Sequence, residues 1–282
     1  MKNILITGAT GTIGSELVNL LSKEPTINLK IAVRNLDKAT FDLSKSVAFD
    51  FEKHETFTNA LDNVESVFVL PPVTPTMAET VGKFLQSIKS SKVKSIVYLS
   101  GLNASVNGKG FDKLHGDTVE ILKQTEIPYT IIEPVEFMKN YLPFTENPSQ
   151  NSIMQFAQAN TKKSLIAHQD IAEIVAKSLV NGQHNGQRLQ ISGYDYNNYE
   201  LADILTKMTN RKISYQPISF DQYNETYSGY GLPKWLVDCL IELNKDIIEG
   251  KNLISNQKAV EFLGRQPLTF EKFVEIELAT KI

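Results

Sequence analysis

The chain has 282 residues, 41% hydrophobic and 22% charged, the balance of an ordinary soluble globular protein and enough for one large domain or a domain with an added lobe. A net charge of −3 leaves no basic excess to meet nucleic acid or an anionic membrane surface. Cys239 is the single cysteine, which excludes an intrachain disulfide, argues against a cysteine metal cluster and suits a reducing cytosol.

Along the chain, short apolar, β-branched runs come first: NILIT (3–7), LKIAV (29–33), SVAF (46–49), SVFVL (66–70) and SIVYLS (95–100). Helix-period segments lie between most of them, at 15–23, 55–62 and 76–90, and a further unit follows as a helix at 117–125 and a strand at 128–133. Runs that are apolar on nearly every residue predict strands buried on both faces, as in a parallel sheet with helices on each side. The fold class expected is therefore α/β, a Rossmann-type doubly wound parallel sheet. No apolar run approaches the roughly 18 residues of a membrane span, and the N-terminus enters a strand at once, so a cytoplasmic location is expected.

Past residue 133 the pattern changes. A helix at 169–180 and a strand at 188–192 fit as additions to the sheet, and helices at 200–208, 233–250 and 269–280 flank a strand at 212–218. Pro233 and Gly250 bracket one of these helices as N1 proline and C′ glycine. The expected division is a dinucleotide-binding domain of residues 1–133 plus about 161–192. About 134–160 with 193–282 would form a smaller, mostly α-helical lobe on the substrate side, at the sheet's C-terminal edge.

The stretch GATGTIG at 8–14 follows the first strand and opens the first helix, the context that gives a glycine triplet meaning. Gly8 would allow the sharp turn, Gly11 the close approach of a pyrophosphate and Gly14 close helix packing. Thr10, Thr12 and Ile13 complete a loop whose free N–H groups and helix dipole suit phosphate; a structural turn without ligand is the alternative. At the end of the second strand, where an acidic residue would favour NAD, stand Arg34 and, one helical turn later, Lys38. Two cations there suit a 2′-phosphate, so NADP(H) is expected in preference to NAD(H), unless Arg34 is simply a surface arginine. Asp50 and Phe51 end the third strand, where they could hold and cover an adenine or, for Asp50, cap the strand end. Leu70, Pro71 and Pro72 end the fourth, and the prolines, lacking N–H groups, suit the wall of the groove.

Taken together, ITGATGTIG, AVRN, AFDFE, SVFVLPP, SIVYLSGLNAS, IPYTIIEPVEFMKN, HQDIAE and GRQPLTFEKFV resemble the NmrA-like branch of the atypical short-chain dehydrogenase/reductases over nearly the whole chain. That branch includes quinone and dye reductases, phenylpropanoid reductases and redox-sensing regulators. The resemblance implies an NADPH-dependent oxidoreductase reducing small conjugated acceptors such as quinones or dyes. The alternatives are a non-catalytic NADP(H) sensor acting through a regulatory protein partner, and an enzyme like the nucleotide-sugar epimerases. Two departures stand out. Tyr98 is followed at the Tyr-x-x-x-Lys spacing by Leu102, and Glu133-Pro134 stands where relatives usually carry arginine–proline.

The same resemblance implies roles for His115, near the nicotinamide, and for Ser100, facing the substrate. A histidine near its ordinary pKa of about 6.5 could exchange a proton at neutral pH, or merely hydrogen-bond ribose or loop backbone. Ser100 could equally cap its strand. Phe137 and Tyr230 are the expected substrate contacts, Tyr230 in a flexible aromatic segment with Tyr227 and Trp235 that lobe packing would also explain. His54 and His184 sit in polar stretches, His168 resembles a structural position, and no spacing suggests a metal.

Overall fold

The computed structural model describes residues 1–38, 41–147, 149, 151–155, 160–182 and 186–279. The side chains of Lys38, Leu43, Met154 and Gln155, and the whole of His184, lie outside the described residues.

In chain order the first elements are β1 (Lys2–Ile6), α1 (Thr12–Leu21), β2 (Ile27–Val33), β3 (Ser46–Ala48), α2 (Phe57–Leu61), β4 (Ser66–Val69), α3 (Met77–Lys89), β5 (Ser95–Leu99), α4 (Gly110–Lys123) and β6 (Tyr129–Pro134). They are followed by β7 (Glu136–Phe137), α5 (Pro143–Glu146), β8 (Ser152–Gln155), β9 (Lys163–Ile166), α6 (His168–Asn181) and β10 (Gln187–Ile191). The chain ends with β11 (Tyr194–Tyr196), α7 (Asn198–Thr209), β12 (Ser214–Pro217), α8 (Phe220–Gly229), α9 (Lys234–Ile248), α10 (Gln257–Leu263) and α11 (Phe270–Ala279).

Seven strands form one sheet in the order β10-β6-β5-β4-β1-β2-β3, with parallel pairing from β6 through to β3. The doubly wound sheet expected from the apolar runs is present, and the run at 188–192 is its edge strand β10. Buried residues on α1 (Ile13, Leu17, Val18, Leu21) and α3 (Met77, Val81, Phe84, Leu85, Ile88) recur every three or four positions, which is why these segments are helices that cover the sheet. The chain leaves β1 toward β2 and β3 on one side and returns to β4 on the other. Between the ends of β1 and β4 the order reverses, and open sheets of this kind bind ligands in such a crevice.

Two compact units are distinguishable. The first comprises Met1–Gly108, Asp112–Glu133 and Ile171–Leu189; the second comprises Lys109–Phe111, Pro134–Asp170 and Gln190–Ile282. The second unit is not only helical. It holds a three-stranded sheet in the order β11-β9-β7 and a parallel pair of β12 and β8, around a core that includes Tyr141, Leu165, Leu201, Leu205, Phe270 and Phe273. Within it Asp170, fully buried, accepts from the Leu268 N–H at 2.8 Å and pairs with Arg265 at 2.8 Å. That contact joins the HQDIAE and GRQPLTF segments. The stretch expected to be a flexible aromatic segment begins at the end of helix α8, which holds Tyr227, passes Tyr230 in the turn that follows, and ends in α9 with Trp235. Ser219 and Gln222 close the first turn of α8 as a reciprocal capping box, and Tyr223 and Tyr227 stack one turn apart. No helix among the described residues is long and apolar enough to cross a membrane.

Candidate functional site

A groove of about 410 Å³ in the first unit opens where the sheet order reverses. Gly8, Thr10, Gly11, Arg34, Asp50, Phe51, Leu70, Pro71 and Pro72 all line it. These are most of the residues that the sequence assigns to a dinucleotide. Thr12, Ile13 and Gly14 lie just behind, in the first turn of α1, and Lys38 sits in a single 3₁₀ turn past β2.

The loop's geometry follows from its glycines. Gly8 has φ +63°, a conformation open to glycine, and a Cβ there would stand 2.7 Å from Leu70 Cδ2. A Cβ on Gly14 would fall on the Gly8 carbonyl oxygen, so the helix could not come so close to the loop. Gly11 is the N-cap of α1; no side chain caps the helix and no acidic residue sits in its first turn. The positive end of α1 is therefore left to an anion.

Thr7, which the sequence reading passed over, fixes the opposite wall. Its buried hydroxyl donates to the Phe68 carbonyl at 3.0 Å and accepts from the Leu70 N–H at 2.9 Å, tying the end of β1 to the end of β4. A threonine between a strand and a glycine turn carries no signal for this until the neighbouring strand is known.

At the far end of the groove Phe49 packs edge-on against Phe51 and Phe84, with ring centroids 4.9 and 4.8 Å apart. Phe51 is thus a wall held by an aromatic cluster. Asp50 plays the capping role, accepting from the Glu52 N–H at 3.1 Å, while it also lines the groove. Arg34 is exposed at the groove's edge.

Beyond β5, Ser100 and His115 are both buried, and Ser100 Oγ and His115 Nδ1 have no hydrogen-bond partner among the described residues. Gly101, next to Ser100 in the chain, packs on the imidazole: its missing Cβ would stand 2.9 Å from His115 Cδ2. Each of these buried, orphaned polar atoms leaves a bond for a ligand to complete. His115 does not keep the ordinary imidazole pKa expected of it. Burial pushes its pKa down to about 4, so the imidazole is neutral at physiological pH. Tyr98 is fully buried, and burial raises its phenol well above the usual range, with the Thr118 side chain pulling weakly the other way.

Glu133 is likewise buried, and its carboxylate accepts from the Arg188 guanidinium, with Nε at 3.0 Å. Burial raises the Glu133 pKa while Arg188 opposes the rise. Of the remaining histidines, His54 is exposed, whereas His168 is buried, pushed down to about 4 by burial and then by Lys139, and lies 3.6 Å from Glu277. In the second unit Tyr230 lines a separate cavity with Tyr223 and Tyr227. Phe137 does not line it; its neighbour Glu136 does, as strand alternation on β7 requires.

These features fit a nicotinamide dinucleotide: a loop without side chains at a bare helix N-terminus, an aromatic wall, a cation at the edge, and orphaned polar atoms past β5. Comparison with known proteins agrees. Residues 8–182 match a protein-family model described as NAD(P)H-binding. The NAD(P)H azoreductase of Xenophilus azovorans is 28% identical over 85% of this chain and 85% of its own. Quinone oxidoreductase 2 of Escherichia coli is 25% identical over 94% of this chain and 95% of its own. A crystal structure of an NADPH-dependent quinone oxidoreductase from Escherichia coli complexed with NADPH superposes with a TM-score of 0.85 at 24% identity, covering 98% of this chain and 99% of that one.

Proposed function

The chain belongs to the NAD(P)H-binding family, in its NmrA-like atypical short-chain dehydrogenase/reductase branch, and is an NAD(P)H-dependent oxidoreductase; from that premise we propose that it prefers NADPH and reduces small conjugated acceptors such as quinones or dyes. The observation that carries the cofactor preference is Arg34, exposed on the groove with no carboxylate at the end of β2 to favour an unphosphorylated ribose. A guanidinium pairs with a 2′-phosphate through charge-assisted bonds.

In this reading Gly8, Thr10, Gly11 and the first turn of α1 bind the phosphates, Arg34 and Lys38 the 2′-phosphate, and Asp50 and Phe51 the adenine, with Leu70, Pro71 and Pro72 closing the groove. When bound, the dinucleotide supplies a hydride. Ser100 and His115 orient what lies against them through their unpaired polar atoms, and His115 acts as a neutral hydrogen-bonding group rather than as an imidazolium. Tyr230 and Phe137 belong to the acceptor's side. A quinone or dye asks for little more than orientation and a proton from nearby, so the burial of Tyr98 without a lysine partner is compatible with turnover.

That same burial favours a second reading, a protein that binds NADP(H) and signals through a protein partner without turnover. One experiment separates them: NADPH consumption against a panel of quinones and dyes, run beside calorimetric titration with NADP⁺. Turnover with several acceptors is the expected result. Tight NADP⁺ binding with no acceptor reduced would overturn the reductase in favour of the sensor.

A further inference from the structure

The second unit contains a cavity of about 630 Å³, large enough for a molecule of three fused rings. Its wall is unusual in composition. Tyr141, Tyr223, Tyr227 and Tyr230 line it together with one carboxylate, Glu136, and no lysine or arginine occurs among the described residues that line it. Tyr223 and Tyr227 stack with ring centroids 4.0 Å apart and an interplanar angle of 19°. Tyr230 meets Tyr227 edge-on at 5.9 Å.

Glu136 is held in place from behind. Its Oε1 accepts from the Tyr141 hydroxyl at 3.2 Å, and its Oε2 lies 3.4 Å from Lys163 Nζ, which also sits over the Tyr141 ring at 5.1 Å. The Lys163 side chain is only 3% exposed and does not line the cavity, whereas Glu136 does. The pair is therefore a dipole whose negative end is the one the cavity meets. Burial pulls the Lys163 pKa down, while Glu136 beside it pulls the other way. Arg211 donates to the carbonyls of Phe144 and Thr145 and is not part of the wall. The Tyr223 and Tyr227 phenols add no anion of their own, because burial raises both, with Glu136 raising them further.

Ring faces carry negative potential and attract cations, most strongly where water is excluded. We infer that this cavity binds a planar aromatic cation, with Tyr223, Tyr227 and Tyr230 as its stacking wall and Glu136 as the group that selects positive over negative charge. The inference deepens the reductase reading, and rests on it only in taking the bound molecule to be the acceptor. An aromatic of the same shape carrying a carboxylate meets repulsion from Glu136 and from the ring faces, with no cation on the wall to receive it.

The test uses three tricyclic probes of one shape and different charge: N-methylphenazinium, phenazine and phenazine-1-carboxylate. Equilibrium dialysis with the full chain, without reduced cofactor, should rank them cation, neutral, anion, with at least a tenfold gap between first and last. Glu136→Gln should bring the three within about threefold, and Tyr227→Ala should weaken all of them at least fivefold. Where Glu136→Gln unfolds by circular dichroism, Glu136→Gln with Lys163→Met removes the buried pair as a whole and should likewise level the ranking. A wild-type protein that binds the anion as tightly as the cation overturns the inference, as does a folded carboxamide variant that keeps the ranking or a Tyr227→Ala protein that binds the cation normally. NADPH consumption is measured separately. Charge-ranked binding without turnover of any acceptor supports the cavity and sinks the reductase; turnover with charge-blind binding does the reverse.

Discussion

Arg188, on the edge strand β10, reaches Glu133 on β6 with both Nε and Nη2, and the same Nη2 donates to the Ala104 carbonyl at 2.8 Å. One guanidinium thus neutralises the buried carboxylate and pins the loop between Ser100 and His115. Removing it by Arg188→Ala leaves Glu133, 1% exposed, without its counter-charge. Breaking a buried pair costs about 3–5 kcal/mol; with Arg188 39% exposed and water able to enter, about 1–3 kcal/mol is the expected loss. The pH dependence has a definite sign. Burial already raises the folded-state pKa of Glu133, so its ionisation opposes folding as pH rises past the ordinary value of 4.5. Without Arg188 that pKa rises further, and the variant should lose more stability at pH 8 than at pH 5. Urea midpoints at the two pH values check this, and adding Glu133→Gln should abolish the difference.

The two glycines of the loop should separate folding from binding. A Cβ on Gly14 falls on backbone that cannot step aside, so Gly14→Ala should lower stability by about 1–3 kcal/mol and binding with it. A Cβ on Gly11 would stand 3.2 Å from the Gly8 oxygen, a contact that a shift of a few tenths of an ångström relieves. Gly11→Val should therefore melt near wild type and still fail to bind NADP⁺ in calorimetry. Normal binding by that variant would mean that the phosphates lie elsewhere.

In the proposed reading, cofactor choice rests on Arg34. A charge-assisted hydrogen bond contributes about 1.5–3 kcal/mol, so NADPH should bind at least about tenfold more tightly than NADH. Arg34→Ala should remove that advantage and leave NADH affinity within about twofold. Equal dissociation constants for the two cofactors in the wild type would count against the assignment.

Legibility tracked the kind of signal each part carries. The sheet was readable because doubly buried strands write continuous apolar runs, and the glycine loop because its context is local. The strands β7, β9 and β11 were not, since segments of two to four residues leave no period to detect. Helix α8 hid for a different reason: its last residues, Tyr227 to Gly229, read as part of a flexible aromatic segment, while the Ser219–Gln222 capping box that starts it lies several residues upstream. Thr7 and Arg188 act through residues 61 and 55 positions away, which no local pattern announces. The titration of His115 was out of reach because it depends on burial, a property of the packed chain.

That burial reshapes the expectation for His115 itself. A histidine near 6.5 would give the turnover profile a limb near neutrality; with its pKa near 4, the profile should be flat on this account between about pH 5.5 and 8, and any limb should fall at acid pH. Stability should show the matching trend. Because the folded-state pKa lies below the unfolded value of about 6.5, the unfolded chain binds the proton first, and stability should fall as pH drops from about 6.5 toward 4. His115→Ala should lose its own share of that slope, the rest remaining with His168, along with the imidazole's unpaired Nδ1. A lost hydrogen bond that acts only in the transition state costs about 1–3 kcal/mol, so kcat for a quinone should fall roughly ten- to a hundredfold. NADPH affinity should change far less, since the glycine loop and Arg34 hold the other end of the dinucleotide in this reading. His115→Asn, which restores a polar group, should recover part of the rate. A neutral limb near pH 6.5 that disappears in His115→Ala would mean that the imidazole does ionise in the folded protein. Unchanged kcat would leave a reductase in which His115 only fills space beside Gly101.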